Sequence, residues 1–138
     1  MTNERRPAPD VVNPPMLGAP VGFSHGILAP AGARLLFVAG QTAPNIRGFV
    51  EQFARSLERV LAVVREAGGR PEDIARMTIW VTDMAAYRSN LSELGEAWRA
   101  RMGHHYPAMA LIEVKSLVDP AALVEIEAIA AIPREETP

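Results

Sequence analysis

Between Phe49 and Thr82 the spacing of apolar side chains changes from the period of a helix to that of a strand, which narrows the folds open to the chain. From Phe49 to Ala67, Phe49, Val50, Phe53, Leu57, Val60, Leu61 and Val64 recur mostly at three- and four-residue steps, while Glu51, Arg55, Glu58, Arg59 and Arg65 fall elsewhere. That spacing predicts an amphipathic helix, stopped by Gly68-Gly69, where glycine takes the left-handed C-terminal position at little cost. From Ile74 to Thr82, Met77, Ile79 and Val81 alternate with Thr78, Trp80 and Thr82, the pattern of a strand with two unlike faces. A one-striped helix running straight into a two-faced strand requires layers, a helix against one side of a sheet.

The flanking segments extend this scheme. Asp83 is placed to cap a second helix over Met84 to Met102, whose stripe is Met84, Tyr87, Leu91, Leu94, Trp98 and Met102 and whose end is Gly103. Arg34 to Ala39 (RLLFVA) reads as a largely buried strand, with His25 to Ala29 as its hairpin partner across Pro30 to Ala33. Ala108 to Leu117 and Leu123 to Ile132 supply two more strands around a turn at Val118-Asp119-Pro120. The expected architecture is α+β, two helices on one face of a sheet of five or six strands. The other face is expected to carry Met109, Leu111, Glu113, Glu125 and Trp80, a mixture that suggests a subunit interface.

At 138 residues and 49% apolar content the chain supports one domain. Five of its 12 prolines fall among residues 1–20, which favours an extended lead-in; residues 21–133 form the expected domain and 134–138 a polar tail. Charge is nearly balanced, 14 Lys+Arg against 16 Asp+Glu, so the molecule as a whole offers no basic excess for nucleic acid. The absence of cysteine removes disulfides, thiolate nucleophiles and Cys-based zinc sites. No run reaches the roughly 18 apolar residues of a membrane span, and no apolar core follows the N-terminal arginines, so the expectation is a cytoplasmic protein without a membrane partner.

Several short motifs then fall in a familiar order: LFVAGQ at 36–41, EAGG at 66–69, TIWVTD at 78–83, Tyr106-Pro107-Ala108, and VEIEAIA at 124–130. Together they resemble the landmarks of the Rid family, YjgF-like reactive-intermediate deaminases, over about residues 21 to 132. The resemblance implies a chorismate-mutase-like fold, a homotrimer, and clefts between subunits that bind small molecules. Deaminases of this family hydrolyse 2-imino or enamino acids to 2-oxo acids and ammonia. An arginine after the Pro-Ala pair holds the substrate carboxylate, a glutamate in the last strand orients water, and a tyrosine near the first strand adds a hydroxyl. Carried onto this sequence those positions are Met109, Glu125 and Phe23, so the glutamate alone is kept. Glu125 is the catalytic candidate; Met109, Phe23, Gly40 and Leu111 are the substrate-binding candidates.

Methionine offers a soft apolar surface where arginine offers a planar fork of charge-assisted bonds. The leading expectation is therefore a trimer that binds small metabolites and hydrolyses an imine or enamine other than the usual 2-imino acids. The alternative is a non-catalytic ligand-binding or regulatory trimer. Ribonuclease activity, a label often attached to the family, is disfavoured by the net charge of -2 and the lack of an aromatic and basic platform. His25 reads as a hydrogen-bonded loop residue. His104 and His105 lack ligand spacing, so neither a metal nor a cofactor is expected. Trp80 and Trp98 read as packing residues.

Overall fold

The computed structural model describes residues 9–135. A short ribbon pairs β1 (Asp10–Val12) with β2 (Gly26–Leu28), and the main sheet is built from β3 (Arg34–Gln41), β4 (Ile74–Val81), β5 (Ala108–Glu113) and β6 (Val124–Ile132). Its order is β3-β6-β4-β5, with β6 antiparallel to both neighbours and β5 parallel to β4. Three helices complete the chain, α1 (Phe49–Glu66), α2 (Met84–Ser89) and α3 (Leu91–Met102). No helix among the described residues is long and apolar enough to cross a membrane.

The stripe of α1 is buried as its spacing requires: Phe53, Leu57, Val60, Leu61 and Val64 pack with Met77, Ile79 and Val81 of β4 and with Val124, Ile126 and Ala128 of β6. Each of the larger of these side chains taken out of water stabilises the fold by about 1.5–3 kcal/mol before entropy is counted. Leu94, Trp98 and Met102 of α3 join the same core. The helix stop at Gly68 has φ +83°, a conformation that glycine alone takes freely. Asp83 caps α2 by accepting from the Ala86 amide at 3.0 Å, and the Asp119 carboxylate accepts from the Ala121 amide at 2.8 Å in the turn before β6.

Four expectations need correction. The main sheet has four strands, because Gly26–Leu28 pairs with Asp10–Val12 of the proline-rich lead-in rather than with Arg34–Gln41. Regular structure thus begins before Val21; the first eight residues of that lead-in and the last three of the polar tail lie outside the described residues. The second helix breaks at Asn90 (φ -123°, ψ 26°), where the Asn90 side-chain Nδ2 and the Ser89 hydroxyl donate back to the carbonyls of Ala86 and Ala85 at 2.7 and 2.8 Å. These local bonds compete with helix continuation.

The last correction concerns the faces of the sheet. In the parallel register Met109 sits beside Met77, Leu111 beside Ile79 and Glu113 beside Val81, all on the helix side. Glu113 there accepts from the Met84 amide at 2.9 Å and so helps cap α2. Trp80 and Glu125, neighbours across β4 and β6, occupy the opposite, helix-free face with Thr78 and Glu127. That face remains apolar in places: Phe37 is 71% and Leu35 59% exposed, and Ile112 and Ile129 lie on it too.

Candidate functional site

On the helix-free face, Glu125 projects from β6 towards β3, whose ladder with β6 shifts register between Val38 and Gln41. Gly40 lies in that irregular stretch. A Cβ at Gly40 would come within 2.8 Å of Glu125 Cδ, so the missing side chain makes the room the carboxyl group occupies. Glu125 is half-buried, and among the described residues its carboxylate has no hydrogen bond and no salt bridge. A strand glutamate kept for structure is usually either well solvated or paired. This one is neither fully exposed nor paired, which leaves both oxygens available to a water or a ligand.

On the helix side, Phe23, Met109 and Leu111 line a cavity of about 530 Å³ between β5, the segment preceding β2, and helices α2 and α3. Phe23 reaches it because the next residue is stitched to the start of β5. Ser24 bridges to Ala108, its amide donates to the Pro107 carbonyl at 3.0 Å, and its hydroxyl donates to the Tyr106 carbonyl at 2.6 Å. The Phe23 ring stands edge-on to His25, 5.1 Å between centroids at 88°. The His25 ring bonds to the Gly18 carbonyl at 3.1 Å, and its amide donates to Asn13 Oδ1 at 2.8 Å, so the imidazole braces the loop.

Opposite Met109, the Trp98 ring stacks on Tyr106 at 6.1 Å with planes 7° apart and donates its indole N–H to the His105 carbonyl at 3.1 Å. His105 Nε2 bonds to the Ile74 carbonyl at 2.7 Å. Among the described residues no group of three or more His, Asp or Glu side chains is placed to hold a metal ion.

The five candidate residues therefore form two groups in the chain, Gly40 with Glu125 on one face of the sheet and Phe23 with Met109 and Leu111 on the other. Sequence reasoning missed Tyr87, Leu91, Trp98 and Arg99 as lining of the second group. The first three stand on the apolar stripe of the second helix and read as packing residues. Arg99 had no signal, since nothing in its spacing separates it from the solvent-facing charges of α3.

The architecture is that of known YjgF-like proteins. A Rid-family protein, YyfB from Yersinia pestis, superimposes with a TM-score of 0.75 at 28% identity, covering 91% of this chain and 99% of that one. A member of the YjgF/YER057c/UK114 family from Mycobacterium tuberculosis gives 0.63 at 29% identity, over 91% and 100%. The model of the family described as endoribonuclease L-PSP matches residues 16–132. A RutC family protein of Pyrococcus abyssi is 30% identical over 102 residues, 69% of this chain and 76% of its own length. TdcF of Escherichia coli, which bears the name of a reactive intermediate deaminase, is 29% identical over 133 residues, 92% of this chain and 93% of its own. This chain belongs to the Rid/YjgF family.

Proposed function

We propose that the protein is a homotrimer whose clefts between subunits bind small metabolites, and that it hydrolyses there an imine or enamine other than the usual 2-imino acids. The observation that carries this reading is the unpaired, half-buried carboxylate of Glu125 in the space left by Gly40. In one subunit that carboxylate is separated by the sheet from the cavity of Met109, Leu111 and Phe23. A site that uses both groups needs a second copy of the chain, and the apolar side chains on the helix-free face give that copy a surface to cover.

In the reaction, Glu125 accepts a proton from water as its oxygen adds to the C=N carbon. The proton passes to nitrogen, and collapse of the carbinolamine releases ammonia and leaves the carbonyl product. The Met109 cavity holds the rest of the molecule by apolar contact. It has no arginine on β5 to fix a carboxylate next to the reacting carbon. Support for the deaminase reading also comes from the name borne by TdcF.

Two measurements test it together. Sedimentation at micromolar concentration should give three times the mass of one chain, and a monomer would remove the inter-subunit cleft. Ammonia release from an imine with an apolar substituent should fall about a hundredfold or more in Glu125→Gln while the trimer persists. Loss of assembly in Glu125→Gln, with Glu127→Gln harmless, would make Glu125 structural. Ligand binding without turnover in the wild type would favour a non-catalytic, ligand-sensing trimer.

A further inference from the structure

Among the described residues the cavity beside Met109 has a single charged lining side chain, Arg99 on α3, against aromatic and aliphatic neighbours that include Phe23, Leu91 and Trp98. Two other arginines show the contrast. Arg101, two residues on, holds Glu58 Oε1 through Nε and Nη2 at 3.1 and 2.8 Å, and Arg59 donates to the Thr42 carbonyl at 2.8 Å. Among the described residues the Arg99 guanidinium has no hydrogen bond and no salt bridge. It lies back over Gly95, one turn earlier on α3, where a Cβ would come within 3.0 Å of Nη1. Gly95 itself lines the cavity. A glycine inside a helix is less stable than alanine, and here it clears the path by which the guanidinium lies along the cavity wall.

We propose that Arg99 is an anion-recognition residue of this cavity and that the ligand is an amphipathic carboxylate, an alkyl or aryl body with its acid group held from α3. An apolar cavity with one unpaired cation in its wall selects for both properties at once, since the body leaves water while the acid meets a charge-assisted, two-pronged donor. A single guanidinium suits a monoanion; among the described residues the cavity lining gathers no second cation of the kind a phosphate calls for. The inference rests on the cavity being the ligand site. It adds that the acid is gripped from α3 rather than from β5, remote from the position a 2-imino acid would present it.

Octanoate and 1-octanol share an apolar body and differ in the acid, so calorimetric titration of the full-length protein with each isolates the role of Arg99. Octanoate should bind about tenfold tighter than 1-octanol. Arg99→Gln should weaken octanoate about tenfold and leave 1-octanol unchanged, Arg99→Lys should retain part of the preference, and Arg88→Gln, a charge on α2 outside the cavity lining, should change neither. Equal binding of acid and alcohol, or a preference that survives Arg99→Gln, overturns the assignment of Arg99 and leaves the cavity as a ligand site. Failure of both compounds to bind overturns the assignment together with the ligand-site reading.

Discussion

Glu125 and Gly40 are two halves of one contact, since the carboxyl group occupies the volume that any larger residue at position 40 would claim. Their relation gives Gly40 a role that needs no special backbone angle, because the requirement is space. Elsewhere a single polar atom marks the opposite situation. Ser56 faces the core from α1 at 0% exposure, and its hydroxyl has no hydrogen-bond partner among the described residues. Burying an unsatisfied hydroxyl costs about 1–3 kcal/mol, and serine is also a weaker helix former than alanine. Ser56→Ala should therefore raise stability by roughly 1 kcal/mol, the small void left by the oxygen offsetting part of the gain. A higher midpoint in urea at unchanged slope is the expected result; a lower midpoint would show that the oxygen's packing outweighs its missing partner.

At the level of elements, Gln52 joins three segments. At 3% exposure it donates to the carbonyls of Ile46 and Ala121 at 2.9 and 3.0 Å and accepts from the Leu123 amide at 2.8 Å. The loop entering α1 and the turn entering β6 are thereby fastened to one helix. Gln52→Leu keeps the size but strands three backbone groups, and should lower stability by about 2–4 kcal/mol in equilibrium denaturation.

What the sequence reveals at this scale follows from how local each signal is. The stripe of α1, the alternation of β4, the cap at Asp83 and the turn at Asp119 depend on neighbours in the chain, and all appear where the residues imply. The break at Asn90 rests on two side chains folding back within one turn, which a stripe continuous from Met84 to Met102 conceals. The pairing of β2 with β1 is decided between segments whose own patterns are too short to choose a partner. Alternation along β5 shows that Met109 and Leu111 share a face but not which one; only the register beside Met77 and Ile79 decides it. For the same reason the separation of Glu125 from Met109 by the sheet was not legible.

At the level of the whole molecule, the proposed trimer turns on the helix-free face, whose apolar side chains a second copy would cover. Phe37 is its most exposed large side chain, close to Ile129 of β6 and beside a shallow cavity of about 350 Å³ that also involves Arg76, Thr78 and Glu127. Phe37→Glu should yield folded monomers by sedimentation and circular dichroism. Those monomers should be inactive, although the substitution alters none of the five candidate site residues. A fully assembled Phe37→Glu trimer would move the interface elsewhere. The proposed cleft is open to a gain-of-function experiment. Wild type should hydrolyse a carboxylate-bearing imine, generated in situ from an amino acid, hardly faster than buffer, because β5 offers no arginine to hold the carboxylate. A Met109→Arg, Phe23→Tyr double variant places a guanidinium and a hydroxyl on two residues that already share one cavity. The substrate carboxylate would then be held with its imine carbon turned towards the water of the neighbouring subunit's carboxylate, and correct placement of this kind is worth orders of magnitude in rate. At least a tenfold gain over wild type is expected, abolished when Glu125→Gln is added. The added charge enters an apolar cavity, so the double variant's sedimentation is checked first. An intact trimer with no gain would show that the cavity has diverged beyond these two positions, and wild-type turnover already equal to the double variant's would show that the carboxylate is gripped by some residue other than the one at position 109.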